Sequence, residues 1–354
     1  MQKAAIIIAL IALILVGSGN RLPDTPYIFP YIKFFPKMPE AKANPVTVEG
    51  VNLGRHLFYD PVLSSDSMMS CASCHKQQFA FSDSSIEFST GRNAALMKRN
   101  TMPLFNLAWY PALFWDGRAS SIEEQVFHPL RSPDEMNIEP GIAVERLERS
   151  SFYKPLFTKA FGNGKIDTLQ ISRAIAQFMR TLISYQSKYD KVLSGEEMFT
   201  KDEFDGFVLV NDQTKGDCIH CHITDGDVLG TNLVFSNNGL DSIADPDDFF
   251  DKGRGAVTER AGDNGKFMVP SLRNLAFTAP YMHDGRFKTL EDVINFYSEG
   301  VRLNVNIDSK MGFAHQGGVN LTGDEKKKVI AFLLTLSDSA FVSDPEFSRP
   351  ERHR

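Results

Sequence analysis

The chain has 354 residues, of which 42% are hydrophobic and 23% charged, with a formal net charge of −6. This length allows two domains with cores of their own, and the balance is that of a soluble globular protein. The negative charge argues against a nucleic-acid partner and against a polybasic membrane surface.

The N-terminus, Met1-Gln2-Lys3 followed by the apolar run Ala4 to Val16 and then Gly17-Ser18-Gly19, has the layout of a secretory signal. The run is too short for a comfortable membrane span. An uncleaved anchor stays open, because Gly17-Ser18-Gly19 is a mediocre cleavage site. No cysteine follows it, which excludes lipid attachment there. Residues 1–19 are read as a signal peptide or N-terminal anchor, and 20–45 as an extended, Pro-rich lead-in.

Two C-x-x-C-H pentads, Cys71-Ala-Ser-Cys74-His75 and Cys218-Ile-His-Cys221-His222, use all four cysteines. This motif attaches a c-type haem: two thiols form thioethers with the vinyl groups, and the histidine takes one axial position on the iron. A zinc ribbon wants its cysteine pairs about 15–20 residues apart, whereas Cys74 and Cys218 are 144 positions apart. Disulfides do not explain a histidine directly after each pair. The expected cofactors are therefore two covalently bound haem c groups, one on Cys71, Cys74 and His75 and one on Cys218, Cys221 and His222. Attachment of this kind generally takes place outside the cytoplasm, so a periplasmic location is expected.

Between and beyond the pentads the chain repeats itself. Asn106-Leu-Ala108, seven residues and Asp116-Gly-Arg118 are matched by Asn274-Leu-Ala276, seven residues and Asp284-Gly-Arg286, at an offset of 168. Ile171, Ala174, Ile175, Phe178, Met179 and Leu182 recur at helical spacing, which predicts an amphipathic helix over 168–185. Tyr189-Asp190 and Ser194-Gly195 interrupt the pattern, so a boundary is placed near 186–200. The stretch 225–265 is rich in Asp, Asn and Gly and shows no strand alternation. Capping patterns at Thr200/Glu203, Thr289/Asp292 and Thr322/Glu325 open further helices. The last is expected to run to about Ser337 with Val329, Ile330, Leu333 and Leu334 inward. The fold class is all-α: two cytochrome-c-like haem domains with long loops, 46–190 and 191–340, and a tail over 341–354.

An iron with two protein ligands shuttles electrons, while one with a vacant position can bind peroxide or oxygen. Under the 168 offset, Tyr297 corresponds to Pro129, and proline carries no ligating atom. If that position faces the distal side, Tyr297 closes the second haem and the first is open; otherwise Tyr297 is a helix residue with its hydroxyl at the surface. Near the first haem, a carboxylate such as Glu135 has the chemistry to move a proton between peroxide oxygens, and Gln125 to orient them. The competing reading makes Glu135 a solvated loop acid.

These residues resemble the bacterial di-haem cytochrome c peroxidases and their MauG-type relatives over nearly the whole mature chain. The similarity is specific at Arg99-Asn-Thr-Met-Pro103, Phe114-Trp-Asp-Gly-Arg-Ala119, Val269-Pro-Ser-Leu-Arg-Asn274 and Ala279-Pro-Tyr-Met-His-Asp-Gly285. The resemblance implies that the N-terminal haem is peroxidatic and the C-terminal haem is the electron donor. It also implies that Trp115 lies between them, and that Gln125 and Glu135 stand in the distal pocket. It further implies a calcium ion between the halves, at positions matching Asn100, Thr278 and Pro280, whose oxygens suit a hard cation.

Two departures from the family pattern bear on the reaction. Arg92, in Ser89-Thr-Gly-Arg92, stands where a histidine closes the peroxidatic haem in typical members, so the first haem is expected to be open without reductive activation. His56 and His128 could in principle substitute, but His56 resembles part of the family's entry helix and His128 has no positional support. The usual axial methionine aligns with Tyr297, a tyrosine in MauG-type enzymes, with Met311 in reserve. The first functional reading is a peroxidase that reduces hydrogen peroxide with electrons from a small cytochrome c or cupredoxin. The second is MauG-like oxidation of a partner protein through a high-valent state, and a third, of another class, is a non-catalytic di-haem electron carrier or sensor. Family members are often dimers, which makes a homodimer an expectation that no sequence stripe itself carries.

Overall fold

Residues 25–83, 85–162, 165–224 and 229–351 are described in a computed structural model of the chain. The expected signal or anchor at 1–19 lies outside them. Among the described residues no helix is long and apolar enough to cross a membrane. Residues 25–47 contain no helix and are stitched to the first helix by Val48 N–H donating to Thr25 O at 2.9 Å.

The first half is built on α1 (Val48–Tyr59), α2 (Cys71–Cys74), α3 (Ile122–Arg131), α4 (Pro140–Arg149), α5 (Tyr153–Phe161) and α6 (Thr168–Thr181). Thr47 caps α1 and an Asp167/Gln170 capping box opens α6, satisfying backbone N–H groups that have no intrahelical partner. Leu53, Leu57 and Phe58 of α1 pack on Ala174, Ile175 and Phe178 of α6, with Phe157 and Val126 completing the core. The second half has α7 (Lys188–Ser194), α8 (Lys201–Asn211), α9 (Gly255–Thr258), α10 (Leu290–Asn295), α11 (Gly323–Thr335) and α12 (Ser339–Ser343). Its core joins Val329, Phe332 and Leu333 of α11 to Val210 of α8 and Tyr189 of α7, and also takes in Phe35 and Trp109. Phe341 of α12 packs back on the first core.

The same crossing device occurs in each half. A Cβ at Gly54 of α1 would lie 1.9 Å from Ala174 O on α6, and one at Gly206 of α8 would lie 2.0 Å from Lys328 O on α11. Hydrogen in place of a side chain lets each helix pair cross at backbone contact. Asn106 and Asn274 then fasten the following segments in the same manner. Both are left-handed, at φ 56° and 63°, a region that asparagine tolerates better than most residues. Asn106 N–H donates to Leu182 O at 2.9 Å and Asn274 N–H to Leu336 O at 3.2 Å, each just past the end of its half's crossing helix.

Several expectations are corrected in detail. The helix expected over 168–185 ends at Thr181, because Asn106 captures Ser184 through both its amide groups, at 2.9 and 3.2 Å. Residues around Tyr189 do not merely interrupt the pattern: they form α7, with a Ser187/Asp190 capping box and a left-handed Gly195 at its end. The stretch read as free of strand contains β1 (Phe235–Ser236), which pairs antiparallel with β2 (Phe267–Met268). Only two residues long, it is too short to show alternation. All three capping patterns are present, but α11 stops at Thr335 and Leu334 is 45% exposed. Its neighbours Val329 and Leu333, on the face towards α8, are buried.

Replacing Gly54 or Gly206 by alanine should cost about 1–3 kcal/mol of stability each through backbone overlap. Gly141→Ala, whose added methyl meets nothing within 4 Å, should be neutral or stabilising by roughly 0.5–1 kcal/mol. Chemical denaturation of the three haem-loaded variants measures the contrast, and equal midpoints would refute the crossing role.

Candidate active site

Helix α2 sets Cys71 and Cys74 one turn apart, on one face, and delivers the chain to His75 at its C-cap. The loop after it curls back so that Phe81 O lies 2.7 Å from His75 Nδ1. In the second half, His222 N–H closes a turn on Cys218 O at 2.8 Å, and His222 Nδ1 lies 3.3 Å from Gly230 O. A carbonyl can only accept, so in each ring Nδ1 carries the proton and Nε2 keeps its lone pair. Burial holds both imidazoles below their usual range, His222 down to about 4, which keeps them neutral. None of the four cysteines is engaged in a disulfide. Paired thiols with a neutral, oriented imidazole directly after them fit the attachment chemistry of haem c.

Two cavities meet these motifs. The larger, about 1650 Å³, is lined by His75, Gln125, Glu135 and Trp115 together with second-half residues such as Phe249 and Arg302. Gln125 lies on α3, and Glu135 on the turn after it, its N–H donating to Ser132 O at 3.1 Å. Glu135 is not a solvated loop acid. Burial pushes its carboxyl above the usual carboxylate range, against the opposing hydrogen bond from Ser132 and the charge of Arg118. Arg118 is itself stacked on Phe114 at 3.6 Å and paired with Asp116.

Arg92 is absent from the lining of this cavity; its Nε meets Asp66 at 3.1 Å. His56 packs edge-on against Phe152 and His128 against Phe114, and neither lines the cavity.

The smaller cavity, about 150 Å³, brings together Cys218, Cys221, His222, Tyr297 and Met311. Tyr297 lies in a π-turn, Phe296–Gly300, that continues α10, and its hydroxyl does not point to solvent. The oxygen accepts a hydrogen bond from Asn238 Nδ2 at 2.9 Å, and burial pushes its pKa up to about 12. Met311 lines the same space, as does Met282.

Trp115 borders both cavities and is fixed by its indole N–H donating to Asn100 O at 2.9 Å. So does His283, stacked on Phe267 at 3.6 Å. Sequence reasoning passed over His283, although the 168 offset applied to Trp115 leads to it. It also passed over Asn238, which lies in a loop with no motif to mark it. Of the residues matched to calcium, Asn100 is tied to the second half by its N–H donating to His283 O at 2.7 Å, and its amide reaches Glu87 O at 3.1 Å. Thr278 and Pro280 lie on the segment leading to His283. Among the described residues no group of three or more His, Cys, Asp or Glu side chains forms a metal site.

The family model for di-haem cytochrome c peroxidase matches residues 48–198, the span from α1 to just past α7. The methylamine utilization protein MauG of Methylophilus methylotrophus is 33% identical over 308 residues, 86% of this chain and 87% of that one. The chain belongs to the di-haem cytochrome c peroxidase and MauG family. The cytochrome c551 peroxidase of Nitrosomonas europaea is 32% identical, over 89% of this chain and 86% of its own. A crystal structure of a MauG-like protein associated with microbial copper homeostasis matches with a TM-score of 0.84 at 34% identity, covering 92% of this chain and all of that one. Membership implies haem c, and it makes the helix-rich fold that of an oxidoreductase family with both MauG proteins and peroxidases among its members.

With Arg92 turned out of the larger cavity, the ferric protein should carry two covalently bound haems per chain and show a high-spin component. Pyridine haemochrome counting and electron paramagnetic resonance check this, and a purely low-spin spectrum would contradict it.

Proposed function

We propose that this family member reduces hydrogen peroxide to water at its first haem, the one held by His75, and draws its electrons through the second haem by way of Trp115. The observation that carries the reading is the shared cavity of His75, Glu135 and Gln125, whose lining includes neither Arg92, His56 nor His128. Bound haem c supplies the iron site for peroxide and the electron relay. The protein's own part is positional and protolytic.

With haem bound, Glu135 as carboxylate would take one peroxide proton and return it to the departing oxygen, which would leave as water, the remaining oxygen becoming the second water on reduction by the donor. Gln125 offers an amide to hold the outer oxygen. Two electrons and two protons convert one hydrogen peroxide into two waters, so each turnover needs a donor outside the chain. A carboxyl whose pKa is raised by burial is suited to both halves of this transfer. A non-catalytic carrier has no use for that pair of side chains, and this counts against the third reading.

The donor divides the two enzymatic readings. A small cytochrome c or cupredoxin is the source in the peroxidase reading. MauG-like oxidation of a partner protein is favoured by one observation, the tyrosine hydroxyl held in the second cavity beside His222. A hard oxygen ligand stabilises ferric iron, whereas a thioether raises the potential. Tyr297 as the second haem's distal ligand, a calcium ion at Asn100, Thr278 and Pro280, and a periplasmic location belong to the same proposal.

Glu135→Gln should lower the rate of peroxide consumption by roughly 10²–10⁴-fold. In the parent enzyme the rate should fall as pH drops through the raised pKa of Glu135, since protonation removes the base; the variant should lose that limb. Stopped-flow consumption assays measure both effects, and an unchanged rate and profile would overturn the role. With a reduced small cytochrome as donor, steady turnover supports the peroxidase reading. Slow consumption with a long-lived oxidised state supports the MauG-like one, and no consumption under any condition overturns both.

A further inference from the structure

We infer that Asn238 is a positioning residue for the second haem, its amide setting both the direction and the basicity of the Tyr297 oxygen. The inference rests on the reading of Tyr297 as distal ligand and deepens it. Asn238 Nδ2 lies 2.9 Å from Tyr297 Oη, and its other contact is Met282 Sδ at 3.7 Å. A thioether can only accept, and a phenolic oxygen that donates its charge to iron can only accept as well. The amide therefore presents N–H groups to both, and one orientation satisfies the two neighbours together.

The backbone on either side of Asn238 is pinned. Asn237 is 3% exposed; its side-chain oxygen accepts from Gly239 N–H at 3.0 Å and from Asn304 Nδ2 at 2.9 Å. Asn237 O accepts from Asp308 N–H at 3.0 Å. Gly239, left-handed at φ 76°, takes Arg302 N–H on its carbonyl at 2.8 Å, and a Cβ there would meet Arg302 O at 2.6 Å. The donor is thus held by packing and hydrogen bonds on both flanks, as a group that must keep its aim requires. A hydrogen bond to a charged oxygen draws off electron density and is stronger than a neutral one. Partners of this kind orient metal ligands and tune the metal. Asn238 therefore makes the phenolate a weaker donor than it would be unassisted and sets the second haem's potential higher.

The test is a double-mutant cycle on the haem-loaded protein, using Asn238→Leu, Tyr297→Phe and the pair, each checked for two haems per chain. The readouts are the low-spin ferric resonance and the spectroelectrochemical midpoint of the second haem. Asn238→Leu should shift that midpoint downward and change the resonance, and the same substitution in the Tyr297→Phe background should add nothing. An equal shift in both backgrounds would overturn the inference, since Asn238 would then act independently of the tyrosine. So would no shift from Asn238→Leu where Tyr297→Phe does alter the resonance, an outcome that leaves Tyr297 ligation standing. If Tyr297→Phe leaves the resonance unchanged, the ligand reading itself fails and takes the inference with it.

Discussion

The two halves are held in register by a buried polar knot of four side chains. Asn106, Ser184, Asn274 and Asp338 are each 2% exposed or less. Asn106 binds the backbone of Ser184 on both its polar groups. Asn274 Nδ2 donates to the Ser184 hydroxyl at 3.0 Å, and its side-chain oxygen accepts from Asp338 N–H at 2.9 Å. Ser184 in turn donates to Asp338 at 3.1 Å. Each member has its partners, which is the condition under which a buried polar network adds rigidity instead of costing stability. From this knot the two turns carrying Trp115 and His283 depart at matched positions. Leu113 N–H meets Ala119 O at 2.8 Å in one, and Tyr281 N–H meets Phe287 O at 2.7 Å in the other. Gly117 and Gly285, at φ 70° and 67°, complete the same tight bend.

On this repeated frame the chemistry is made unequal by local changes. The helix that follows each turn begins alike, capped by Ser121 in α3 and Thr289 in α10. Helix α3 continues regularly to Arg131, with Pro129 inside it. Its counterpart gives way after Asn295 to the π-turn, whose wider winding displaces side chains from the ordinary helical face and recurs at functional sites. Tyr297 lies within that widened turn and Pro129 within the regular one. One backbone irregularity thus accompanies the change from Pro129, inside a regular helix of the first half, to Tyr297, which lines the second cavity.

How much of this could be read from the sequence follows from the range of the interactions. The C-x-x-C-H pentads, the capping boxes and the Asp-Gly-Arg turns are local, a few residues determining their own geometry, and they were legible. Glu135 and Gln125 were legible as residue types, but their meeting with His75 in one cavity depends on three segments brought together by the α1–α6 crossing. The end of α6 was misjudged because the competitor for its last turn, Asn106, lies 78 positions away. Leu334 was placed inward by spacing alone, yet α8 covers a narrower stripe than the periodicity suggested. His283 was hidden in plain repeat, since its importance comes from bordering both cavities and not from any motif. Asn238 had no signal, because a pinned loop amide is defined entirely by what surrounds it.

The junction between the cavities also depends on paired charge. Arg99 bridges Asp116 of the first turn at 2.6 Å and Asp251 of the second-half loop with two bonds of 2.7 Å, while its guanidinium lies 5.6 Å from the Phe267 ring that stacks on His283. Burial is the largest single influence on the Asp251 carboxyl and would raise it, but the hydrogen bond and charge of Arg99, the Gly253 N–H and the charge of His283 together hold it below its usual range. A bidentate arginine fixes direction as well as distance, so the loop closing the larger cavity is oriented by the turn that carries Trp115. Arg254 adds a second tie, donating to Asp116 O at 3.1 Å and Gly117 O at 2.9 Å from the other half. A Cβ at Gly117 would meet the Phe235 ring at 2.2 Å, so this turn is seated against β1 as closely as the backbone allows. The separation between the two sites is therefore set by side chains that also form their walls, and a change in either half is felt at the boundary between the two cavities.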